Sequence, residues 1–119
     1  MEFFITDPAV VRLSPAETRL LDLHAEPFPD GKRLRVILDL TPFQQSPSLE
    51  LTLIDSSGNV AATTSIIEPA AWKLEFTLHI RKSAGTSSGV YKLAAILTFP
   101  DLGEMDRKEI TVEIPSPTV

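Results

Sequence analysis

Between Trp72 and Ile80 the chain reads Trp-Lys-Leu-Glu-Phe-Thr-Leu-His-Ile, with apolar and polar residues in unbroken alternation. Successive side chains of an extended chain point to opposite faces. Trp72, Leu74, Phe76, Leu78 and Ile80 therefore share one dry face, and Lys73, Glu75, Thr77 and His79 share a wet one. The pattern predicts a β-strand half-buried against a core.

The same rhythm recurs along most of the chain. Phe3 to Ile5 reads as a short first strand, continued by Ala9 to Leu13 after Pro8. Ser14-Pro15-Ala16-Glu17 carries the marks of a helix start: an N-cap serine, proline at the first helical position and glutamate three residues after the cap. No helical period follows, so a single turn is predicted there, then a strand over about 19 to 26. Pro29-Asp30-Gly31 is a turn, because proline pre-sets φ, aspartate bonds its own backbone and glycine accepts positive φ. The strand over about 33 to 41 places Leu34, Val36, Leu38 and Leu40 inward, and the next places Leu49, Leu51 and Leu53 inward. Asp55-Ser56-Ser57-Gly58-Asn59 closes a hairpin onto a strand over about 60 to 67. After the Trp72 strand comes a small-residue loop, Ser83 to Gly89. Tyr91, Leu93, Ala95, Leu97 and Phe99 form the following inward set, and Val90, Ala94 and Ile96 make the other face apolar too, as in a strand within a sheet. Pro100 to Met105 reads as a loop, and Ile110, Val112 and Ile114 complete the pattern.

Seven to eight short strands with turn signals about every 8 to 12 residues predict an all-β, antiparallel immunoglobulin-like sandwich. Gly89-Val90-Tyr91-Lys92-Leu93 resembles the tyrosine corner that opens the sixth strand of immunoglobulin-like and fibronectin type III domains. The resemblance covers about residues 20 to 114. Trp72 falls too late in strand order to match the buried tryptophan of antibody domains, and the paired cysteines are absent. The likeness is thus nearer to fibronectin type III or bacterial immunoglobulin-like modules. It implies a buried Tyr91 whose hydroxyl is tied to backbone near residues 81–88. That fold hosts many functions and transfers none of them. The predicted core is Leu38, Leu51, Leu53, Leu74, Phe76, Leu78, Leu93, Leu97 and Val112, all almost entirely buried.

At 119 residues, 43% hydrophobic and 23% charged, the chain suits one domain over residues 1–115 with a linker-like tail at 116–119. A net charge of −5, with basic residues scattered in runs of at most two, argues against binding a phosphate backbone. The absence of cysteine removes disulfides, thiolate catalysis and thiolate zinc sites, and leans toward a reducing compartment. The N-terminus shows no signal peptide and no apolar run approaches a membrane span, so a cytoplasmic location is expected unless a leader preceded the chain.

Catalytic chemistry finds little to stand on. His24 and His79 both lie on the polar phase of their strands. Gly85-Thr86-Ser87-Ser88-Gly89 has the Gly-x-Ser-x-Gly spacing, but it lies in a small-residue loop ahead of a predicted strand, not at the strand-to-helix turn a nucleophile elbow needs. The five glycines stand singly at 31, 58, 85, 89 and 103, so no loop cradles phosphate. A calcium site would draw on Asp30, Asp55, Asp101, Glu104 and Asp106. Up-down strand order divides them between the two ends of the sandwich, two at one and three at the other, against the 6 to 8 oxygens that calcium takes. Neither catalytic residue, metal nor cofactor is predicted. The rival reading, a hydrolase or a calcium-dependent domain, needs a concave site joining a histidine to carboxylates, and the strand phases oppose it.

Two surfaces remain. One end of the sandwich gathers Phe43, Pro47, Pro69, Trp72, Leu102 and Met105, either as a lid on the core or as a binding patch formed by Phe43, Trp72, Leu102 and Met105. The strand over 60–67 contains neither charge nor proline, so Val60, Ala62, Thr64 and Ile66 offer an unprotected sheet edge for pairing. The expectation is a non-catalytic binding or assembly module with a protein partner or a second copy of itself. The alternative is a carbohydrate or small-ligand binder using the Phe43 and Trp72 loops.

Overall fold

The computed structural model describes residues 11–80 and 89–114. Seven strands follow one turn of 3-10 helix at Pro15–Glu17. They are β1 (Leu20–Pro27), β2 (Arg33–Leu40), β3 (Ser48–Ile54), β4 (Val60–Ile67), β5 (Lys73–His79), β6 (Gly89–Phe99) and β7 (Gly103–Ile114). One sheet runs β1-β2-β5 and the other β4-β3-β6-β7, with every pairing antiparallel. The chain is an all-β sandwich. Relative to the four-plus-three arrangement of constant-type immunoglobulin domains, the fourth strand pairs with the third instead of joining the first sheet.

Alternation sets the layers as the sequence predicts. Leu34, Val36 and Leu38 of β2 and Leu51, Leu53, Leu93, Ala95 and Leu97 of β3 and β6 are fully buried between the sheets. β6 lies between β3 and β7, which accounts for its apolar outer face at Ala94 and Ile96. Both predicted tight turns form. Gly31 and Gly58 take positive φ (69° and 90°), while Asp30 and Asp55 accept hydrogen bonds from backbone N–H groups two residues on, at 2.9 Å each. Ser14 opens the 3-10 turn, but its hydroxyl donates to the Glu17 carboxylate and caps no backbone N–H.

Two expectations need correction. The loop expected over Pro100–Met105 is only the three residues before Gly103, because Gly103 at φ 79° reverses the chain and Glu104 already pairs with Thr98. Leu74 and Phe76 point into the sandwich, yet both are only half-buried. They belong to an edge strand, and β4 on the facing sheet barely touches it. The strands predicted at Phe3 to Ile5 and the Ala9 end of Ala9 to Leu13, the Tyr91 hydroxyl partner near residues 81–88, and the tail at 116–119 lie outside the described residues.

Candidate interaction site

At one end of the sandwich the segment before the first strand folds over the β2–β3 connection. The Leu13 N–H donates to the Pro42 carbonyl and the Gln44 N–H to the Leu13 carbonyl, both at 2.9 Å, forming a parallel bridge between Leu13 and Phe43. Phe43 is only 8% exposed and belongs to the core. Its ring meets Trp72 edge to face at 6.2 Å between centroids. The Arg12 guanidinium lies 5.8 Å from the centroid of the indole ring, covering one of its faces. Pro47 and Pro69 are buried, and the Ser46 hydroxyl donates to the Pro69 carbonyl at 2.8 Å, stitching the two loops together. Leu102 stands on the β6–β7 turn, 50% exposed, and Met105 packs against the core just beyond it. Phe43 and Trp72 are thus brought together, while Leu102 on the β6–β7 turn and Met105 at the start of β7 lie apart from them at the same end.

The loop carboxylates have local work. Asp30 bonds the Lys32 N–H and the Arg33 side chain, Asp55 bonds the N–H groups of Ser57 and Asn59, and Glu104 pairs with Arg107. The Lys32 N–H, assisted by Arg33, holds the Asp30 carboxyl below its ordinary value, and Arg107 does the same for Glu104. Asp106 reaches across to β1, where one oxygen accepts the Leu20 N–H at 2.9 Å. Among the described residues no three His, Cys, Asp or Glu side chains converge as a metal site would require. His24 lies beside Glu26 on the solvent face of β1, with Nε2 3.2 Å from its carboxylate. His79 is exposed at the end of β5. Tyr91 is buried, and desolvation, with the nearby Asp55 charge, raises its pKa.

The second candidate surface is the flank formed by β4 and β5. Among the described residues β4 pairs only with β3, and β5 only with β2. Ala62, Thr64 and Ile66 lie opposite the buried Leu53, Leu51 and Leu49 and so point inward. A bulge between Leu53 and Ile54 inserts Ala61 and turns Val60 outward, where it is 57% exposed. Where the strand carries two alanines the sandwich is hollow. A groove of about 430 Å3 runs between Val60–Thr64 of β4 and Thr77–Ile80 at the end of β5 and just beyond it. Neither an acid, a lysine nor an arginine lines it, and His79 is its single titratable side chain. The uncharged β4 run was legible in the sequence. The facing stretch of β5 was not, because strand phase says nothing about which edges of two sheets lie together.

A search against protein-family models finds no match, and no curated protein sequence matches. Solved structures do share the fold. A glycosyl hydrolase family 2 member from Bacteroides cellulosilyticus superposes with a TM-score of 0.61 at 15% identity, covering 82% of this chain and 14% of that one. A β-glucuronidase from Ruminococcus gnavus, solved with D-glucuronic acid, gives a TM-score of 0.55 at 16% identity, covering 82% of this chain and 16% of that one. The chain therefore spans only 14% and 16% of those proteins' lengths, and at this identity the likeness concerns the fold alone. No helix among the described residues is long and apolar enough to cross a membrane.

Proposed function

We propose that this chain is a non-catalytic β-sandwich module that works by protein contact, as an accessory unit of a larger carbohydrate-related system. The observation that carries the reading is the extent of the structural likeness. Most of this chain matches a small portion of each glycoside-hydrolysing enzyme, too small a share to stand for a whole hydrolase. Its loop carboxylates agree with that reading, because turn and flank hydrogen bonds already engage Asp30, Asp55, Glu104 and Asp106. Glycoside hydrolysis ordinarily needs two free carboxyl groups facing one bond.

The carbohydrate-binding alternative depends on Trp72 and Phe43. Sugar rings stack on open aromatic faces, whereas Arg12 covers one face of Trp72 and Phe43 lies in the core. Both observations favour the protein-contact reading. Trp72 is the sole tryptophan, so its fluorescence reports that end of the sandwich alone. Titration with D-glucuronic acid and common monosaccharides should leave the emission unchanged, and aryl β-glucuronides and β-galactosides should not be hydrolysed. Saturable quenching would support the sugar-binding alternative, and turnover would overturn the non-catalytic reading.

A further inference from the structure

We infer that the β4 edge is a self-association surface, and that two copies of this chain pair their β4 strands antiparallel about Thr64. This goes beyond the accessory-module reading and stands independently of it, on the geometry of one strand.

An exposed sheet edge leaves a row of unpaired N–H and C=O groups, which natural proteins usually guard with charge, proline or a covering element. The opposite edge of the same sheet is guarded in this way: β7 carries Glu104, Asp106, Arg107, Lys108, Glu109 and Glu113. β4 carries no charge over its eight residues, and two of the most exposed large apolar side chains, Val60 and Ile67, stand at its ends. In a chain of net charge −5, this strand is where two copies can approach without bringing like charges together.

The choice of a second copy rests on complementarity within β4 itself. Across an antiparallel pair related by a twofold axis normal to the sheet, opposed residues must share a face. Centring the pair on Thr64 sets Thr64 against Thr64, Thr63 against Ser65, and Ala62 against Ile66. Ala62 lines the hollow between the sheets, and Ile66 is an inward-pointing residue only partly buried in its own copy. The pairing therefore lays Ile66 of each copy over the alanine-lined groove of the other. It also extends the four-stranded sheets into one continuous sheet. Small faces large twice, which is the arrangement an isologous interface requires. Leu74 and Phe76 are only partly buried on β5, the edge strand of the facing sheet on this same flank.

Sedimentation equilibrium of the wild-type chain, from micromolar to millimolar concentration, should show a reversible rise toward twice the monomer mass. Thr64→Lys should weaken that association at least tenfold while circular dichroism still reports a folded sandwich. The chain has no cysteine, which permits a second, independent measurement. Thr64→Cys should cross-link readily under mild oxidation, because directly opposed residues of an antiparallel pair lie within disulfide reach. Thr111→Cys, exposed on β7, should not cross-link. If the lysine variant fails to fold, the cysteine pair decides the matter. A wild-type mass that stays monomeric at millimolar concentration overturns the proposal, including the case in which β4 amides are protected because another segment or another protein covers them. So does a dimer unaffected in folded Thr64→Lys, or equal cross-linking at positions 64 and 111.

Discussion

The two flanks of this sandwich are built differently. On one, β1 and β7 approach closely, Asp106 of β7 accepts the Leu20 N–H of β1, and the β7 edge is dense with charge. On the other, β4 and β5 touch at few positions, a groove separates part of their length, and β4 is uncharged. Both flanks follow from the same alternating pattern, and what separates them is the size and charge of a few residues. Alanines at 61 and 62 leave space where a leucine would have closed it, whereas β7 packs the larger Met105 and Ile110 against the core. The lesson is that closure of a two-sheet fold is decided side by side, and the side left open is where a partner adds least strain and gains most backbone hydrogen bonds.

A matched pair of leucines gives the largest effect. Leu38 on β2 and Leu74 on β5 are direct cross-strand neighbours, yet Leu38 is fully buried and Leu74 is half-exposed on the open flank. Leu38→Ala should cost about 3–5 kcal/mol, whereas Leu74→Ala should cost less than about 2 kcal/mol, since a partly exposed site loses less transfer energy and leaves no enclosed cavity. Equal losses in denaturant melts would break the comparison between the flanks.

Next in size is the tie across the closed flank. Asp106→Ala strands the Leu20 N–H and should cost about 1–2 kcal/mol, while Asp106→Asn, which keeps an acceptor, should recover part of the loss. A smaller change is expected on the solvent face of the three-stranded sheet. There Arg35 bridges Glu26 on β1 and Glu75 on β5, all half-exposed. Removing Arg35 should cost about 0.2–1 kcal/mol, and high salt should erase most of that difference.

The smallest effect lies in the β1–β2 turn, away from both flanks. The Asp30 pKa is lowered in the folded chain by the Lys32 N–H and then by Arg33. Its contribution to stability is present above the unfolded carboxylate value, near about pH 4, and fades as pH falls toward the lower folded value. Asp30→Asn should therefore lower the melting temperature slightly in the neutral region and leave it nearly unchanged at the acid end, so that the acid limb of a plot of melting temperature against pH is flatter.

Sequence periodicity carried most of the fold. The alternation in β2, β3, β5 and β6 gave the inward residues, and Pro29-Asp30-Gly31 and Asp55 to Asn59 gave two turns that form as expected. What periodicity lacks is information between sheets. Leu74 and Phe76 have the same phase as Leu78, but their burial depends on what the facing sheet places above them, and β4 barely reaches β5. Strand β7 begins earlier than expected because Gly103 makes a tight reversal that a charged stretch conceals. The same gap explains the candidate surfaces. The uncharged run of β4 could be read along the chain. The Ala61 bulge that turns Val60 outward, and the Arg12 side chain over Trp72, depend on neighbours distant in sequence.

The central claim is that one flank is closed and the other open, and amide hydrogen exchange in dilute protein tests it most directly. Below the concentration at which copies associate, the outward-facing N–H groups of β4 (Val60–Ile67) should exchange much faster than those of β6 (Gly89–Phe99), which has neighbours on both sides. The Leu20 N–H, held by Asp106, should be protected although it lies at the start of an edge strand. Protection of β4 equal to that of β6 in a strict monomer, or rapid exchange at Leu20, would contradict the account.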